Sequence, residues 1–165
     1  MSSLAPEEAA RIQVAQECLR NGDHVKAAEQ LKELRLDSLH HPDVLEIRWE
    51  ICAQDGQWEA AFEIGHALRA AAPENKFGWL YEASSLIELN RSETAFDLLV
   101  VAAEKFHDDP IIPYNLTCCA CRLQRKSEAS RWLAKAIEIG GRAEIKLMAL
   151  DDKDLAPMLE EICAL

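Results

Sequence analysis

Ala27, Ala61, Ala95 and Ala129 are separated by a constant 34 residues in a chain of 165. A spacing kept through four cycles constrains the fold more than any other feature. Each cycle must adopt the same supersecondary unit and bury its apolar face against its neighbours. Four residues after the alanines stand Leu31, Leu99 and Leu133, and seven after them Leu34, Leu68, Ala102 and Ala136. Spacings of i, i+4 and i+7 place these residues on one stripe of a helix. Twelve residues before the alanines stand Ala15, Ala83 and Thr117, small enough to let two helices approach, with Trp49 as the exception. Between the two stripes lie Gly22, Gly56, Asn90 and Gln124, in register, where a first helix has to end. Glycine takes the left-handed conformation of a helix end without cost, asparagine readily, glutamine less so. Pro6, Pro42 and Pro110 suit first helical turns. The pattern predicts helices at 7–21, 24–36, 42–55, 58–71, 76–89, 92–105, 111–124 and 127–139, and no strand. Pro113 favours a later start for the seventh.

The period and the helix-turn-helix unit resemble the tetratricopeptide repeat (TPR) over about residues 8–141. The units are 8–41, 42–75, 76–109 and 110–141, followed by a cap at 142–165 in which Ala143 to Leu150 form one more helix. Trp79 and Pro73 stand at the family's tryptophan and inter-repeat proline. A heptad coiled coil does not explain a break about every 17 residues. The resemblance implies an all-α, right-handed α-solenoid in a single domain, 1–165. It also implies that Trp49 and Gly65 face each other within one unit, since Gly65 replaces the repeat's leucine. The expectation is a size exchange, the indole filling the space of the missing side chain.

Charge and composition narrow the function. The net charge of −11 disfavours binding to phosphate backbones. The longest apolar run, Leu98 to Ala103, is six residues, well short of a membrane span. The first residues carry neither the basic nor the apolar part of a secretory signal, so six reduced cysteines and a cytoplasmic location are expected.

The resemblance further implies that first helices line a concave groove that takes ligands. The matching positions include Leu19, Glu46, Glu50, Ala53 and Gln54 in the first two units. In the third and fourth they include Phe77, Leu80, Ser84 and Ile87, then Ile111, Tyr114, Cys118, Cys121 and Arg122. Family members that clamp a chaperone's C-terminal carboxylate use lysines and asparagines; only Asn115 matches. The lining is acidic in the second unit and apolar in the third and fourth, which suits a segment with basic and apolar side chains. The same apolar lining could instead pack on the N-terminus, on the cap or on a second copy.

Other chemistry has little support. Cys118, Cys119 and Cys121 lack the second ligand pair that structural zinc requires. His40 and His41 precede Pro42 as loop residues. No Gly-rich phosphate loop and no calcium-loop spacing is present, so no cofactor or metal is expected. The sequence therefore points to a non-enzymatic adaptor for a protein partner. The alternatives are a self-assembling repeat protein, and so a homo-oligomer, or a chaperone of the type III secretion kind.

Overall fold

A computed structural model describes residues 4–164; the leader reading of residues 1–3 and the last residue of the cap lie outside it. The described residues form α1 (Pro6–Arg20), α2 (His24–Lys32), α3 (Pro42–Gln54), α4 (Trp58–Ala71) and α5 (Lys76–Glu88). Then come α6 (Ser92–Lys105), α7 (Ile111–Arg122), α8 (Lys126–Gly140), α9 (Arg142–Leu150) and α10 (Leu159–Ala164). Two 3-10 turns, Leu36–His40 and Lys153–Met158, follow α2 and α9. No strand occurs among these residues. The chain divides into two compact units, Met1–Ser85 and Leu86–Leu165.

The repeated residues do the work their spacing predicts. All four period alanines are fully buried, with Leu99, Leu133, Leu68, Ala102 and Ala136 beside them. The four turns share one geometry. Gly22, Gly56, Asn90 and Gln124 have φ of 76°, 68°, 58° and 59°. The next residue of each turn donates its amide to a carbonyl five residues back: Asp23 to Cys18, Gln57 to Cys52, Arg91 to Leu86 and Arg125 to Ala120, each at 2.8 Å. This is the Schellman closure of a helix end. It imposes the left-handed conformation even on Gln124, which has a Cβ. Pro113 sits in the first turn of α7, where an amide hydrogen has no helical partner to lose.

Two expectations fail for tertiary reasons. Helix α2 ends at Lys32, not residue 36. The buried carboxylate of Glu8 on α1 accepts the backbone amide of Arg35 at 3.0 Å, its guanidinium at 2.7 Å and the Ser38 hydroxyl at 2.8 Å. An Arg35 amide bonded to a side chain cannot continue the helical ladder. The same bonds, those from the Arg35 side chain first, hold the Glu8 carboxyl well below the usual carboxylate range.

The second failure concerns Gly65. Its missing Cβ faces the backbone of α5, where a methyl would lie 2.6 Å from the Glu82 nitrogen. The expected indole does not take that space. Gly78 repeats the contact in reverse, its absent Cβ 2.6 Å from the Arg69 backbone. In the first unit α4 and α5 thus meet backbone to backbone through two glycines. Glu82 on α5 is buried beside this contact and accepts from Arg69 Nε at 2.5 Å, with His66 Nδ1 3.1 Å away. Trp79 donates to the Pro73 carbonyl at 3.1 Å, joining the two family-signature residues.

The second unit ends as a fold-back. Helix α9 packs on α8, and the 3-10 turn Lys153–Met158 then lies against α7.

Candidate protein-binding faces

In the first unit, α3 places Glu46 and Glu50 one turn apart on one face, both half-buried. The start of α5 fixes them. Asn75 donates from Nδ2 to Glu46 Oε1 at 2.7 Å, while its own Oδ1 accepts the Phe77 amide at 2.9 Å. The Tyr81 hydroxyl donates to Glu50 Oε1 at 3.3 Å. Tyr81 stacks on Trp49 with ring centroids 4.0 Å apart and planes within 1°. Phe77, 39% exposed, lies 5.7 Å from Tyr81 in a tilted arrangement. The indole donates to the Tyr81 carbonyl at 3.1 Å and to Ser85 Oγ at 2.9 Å. Phe77, Tyr81 and Trp49 therefore form a ring ladder running inward from the surface, flanked by two carboxylates.

Electrostatics follow from this crowding. Burial, with a smaller part from the charge of Glu46, raises the Glu50 carboxyl against the opposing Tyr81 bond. Burial and the two carboxylates push the Tyr81 phenol well above its ordinary range. A cavity of about 150 Å³ adjoins Trp49 and Glu50 and is lined by Leu19, Ala53 and Gln54 as well. Of the residues expected in this face, Glu46, Glu50 and Phe77 come together around the ladder. Ser84 is half-buried and Leu80 is buried, so Leu80 offers little surface. Trp49, Asn75 and Tyr81 were not anticipated as lining. Their signal was available: Trp49 and Tyr81 stand 32 residues apart, two short of the period, on successive first helices.

The face of α7 in the second unit is filled. Tyr114 donates to Asp152 Oδ2 at 2.7 Å, and Cys118 Sγ lies 3.5 Å from the same oxygen. Asp152 Oδ1 accepts the Asp154 amide at 2.9 Å and so starts the 3-10 turn. Arg122 donates from one terminal nitrogen to the Ile87 carbonyl at 2.8 Å. Its Nε lies 2.7 Å from Asp154 Oδ1, off the hydrogen-bonding direction, so this contact is an ion pair. Leu155, Met158 and Ile162 are buried to 2% exposure or less. Of the expected groove residues, Tyr114 and Cys118 are buried at 5% and 4% exposure and Arg122 is half-buried, all three facing the chain's own C-terminal segment. Ile111 is half-buried and Ile87 buried.

The cysteine run is a packing surface. Burial first, then nearby carboxylates, pushes the Cys118 thiol far up. Burial likewise pushes Cys119 up to about 12 and Cys121 up to about 11. Such thiols stay protonated and are poor nucleophiles. Among the described residues, no three His, Cys, Asp or Glu side chains are grouped as metal ligands. His41 instead caps α3, its Nδ1 accepting the Asp43 amide at 3.4 Å. No described helix is long and apolar enough to cross a membrane.

Comparison with known proteins gives likeness of fold. No family model matches the chain, and no curated protein matches its sequence. Two MamA structures match with a TM-score of 0.73 and 16% identity. One is the RS-1 ArsTM double mutant, with 98% of this chain and 96% of that chain covered. The other is the 41-end form from Desulfovibrio magneticus RS-1, with 99% and 97% covered. TTC0263, a thermophilic TPR protein of Thermus thermophilus, matches with a TM-score of 0.72 and 14% identity over 95% of both chains.

Proposed function

We propose that this chain, whose all-α repeat fold is TPR-like, is a non-enzymatic adaptor that holds a protein segment rich in basic and apolar side chains. The face that does so is Glu46, Glu50, Phe77, Tyr81 and Trp49 in the first unit. The observation that carries the reading is the ring ladder bracketed by two carboxylates. Aromatic faces take up apolar side chains and cations alike, and Glu46 and Glu50 attract a basic flank. The face needs no proton transfer and no nucleophile to work. The six cysteines are all unpaired, which favours a reducing compartment such as the cytoplasm.

The test is fluorescence anisotropy with a labelled short peptide carrying Lys and Phe on a Gly–Ser background. Phe77→Ala and the double variant Glu46→Gln, Glu50→Gln should each weaken binding by about tenfold, or about 1.4 kcal/mol. Melting curves should remain near wild type. Equal affinity in all three proteins would remove the first-unit face as the site.

A further inference from the structure

We propose that the α7 face of the second unit is a second recognition site, one that takes acidic segments of the form Asp-x-Asp-Leu. In this chain Asp152-Lys153-Asp154-Leu155 holds it in cis. The inference rests on reading the chain as a segment-binding protein, and it assigns the second site a ligand opposite in charge to the first.

The contacts themselves define the ligand. Leu155, Met158 and Ile162 supply the apolar part of the contact. Here the two acids of the segment each meet a different polar side chain of α7. Tyr114 reads Asp152 at 2.7 Å, and Arg122 reads Asp154 at 2.7 Å. Arg122 is held in place by the Ile87 carbonyl at 2.8 Å and by Glu88 Oε1 at 3.5 Å, so its position does not depend on the segment, while its Nε edge is left for Asp154. Leu155 is fully buried, while Lys153 between the two acids is exposed, which sets the pattern acid, any residue, acid, leucine. Tyr114, Cys118 and Arg122 stand at i, i+4 and i+8, one continuous stripe of α7 along which such a segment lies. A segment of another protein with the same acids and leucine meets the same donors. It binds in proportion to the time the cis segment is away.

The test uses a labelled peptide of residues 151–164 and the full chain. Wild type should bind it weakly, because the cis segment competes. The chain variant Asp152→Ala, Asp154→Ala, folded by its melting curve, should bind it at least about tenfold more tightly. Adding Arg122→Gln to that variant should return binding to the wild-type level. If the double variant melts early, Leu155→Ala serves as a second way of loosening the cis segment. Folded loosened chains that bind no more peptide than wild type, or binding indifferent to Arg122→Gln, would overturn the proposal. The Lys–Phe peptide separates the two readings, since its binding to the first unit should not respond to Arg122→Gln.

Discussion

The first helices of the second and fourth repeats present opposite chemistry at equivalent positions. On α3, Glu46 and Glu50 are acceptors, and the donors are Asn75, just before α5, and Tyr81 on α5. On α7, Tyr114 and Cys118 are donors, with Arg122 beyond them, and the acceptors, Asp152 and Asp154, come from the C-terminal segment. One face keeps Phe77 exposed; the other has its tyrosine buried at 5% exposure. The difference teaches that the repeat fixes where side chains project and leaves their sign free. With a net charge of −11 the chain has acids at hand to meet the donors of α7, and Asp152 and Asp154 do so.

The largest expected effect breaks the first unit. Gly65→Leu should drive α4 from the backbone of α5, costing about 3 kcal/mol and lowering Tm by about 10 °C. An unchanged melt would show that the two helices have room to spare. Next, Leu155→Ala leaves a cavity under the C-terminal segment and should cost about 2–3 kcal/mol. Hydrogen exchange should then accelerate in α10 and its preceding turn but not in α3. Equal acceleration in both would mean that the segment is not a local closure.

Acid sharpens the comparison. Glu50 has a raised carboxyl, so it gains its proton at a higher pH than a free glutamate as pH falls. Affinity for the Lys–Phe peptide should therefore drop before ordinary carboxylates, near 4.3, titrate. Glu8 has the opposite sign. Its folded value is lowered, so its contribution to stability is complete above the unfolded value and is lost as pH falls through that value toward the folded one. Glu8→Gln should flatten this acid limb in urea midpoints measured against pH. A limb of unchanged steepness would assign acid sensitivity elsewhere. The smallest effect is a gain: Gln124→Gly relieves a side chain held at φ 59° and should stabilise the chain by about 0.5–1 kcal/mol. A loss instead would show that the Gln124 side chain supports the turn.

The repeat and its turns were legible because they are local and periodic, and register alone placed eight helices. The early end of α2 was not, because it depends on Glu8 reaching Arg35 across 27 residues. The Gly65 contact was misassigned because a glycine announces close approach without saying to what. The resemblance implied that Glu46, Glu50 and Phe77 share a face, and the structure brings them together around Tyr81; Trp49 and Tyr81 required knowing which way two helices face. The closure of α7 was invisible in detail because the C-terminal segment does not repeat. The Tyr114–Asp152 bond spans 38 residues with no periodic signal.

The most direct measurement follows side-chain N–H resonances by ¹⁵N correlation spectroscopy while the Lys–Phe peptide is added. The Trp49 indole and the Arg122 Nε–H report the two faces. The account predicts a shift at Trp49 that saturates with peptide while Arg122 stays still. A shift at Arg122 with Trp49 unmoved would contradict it.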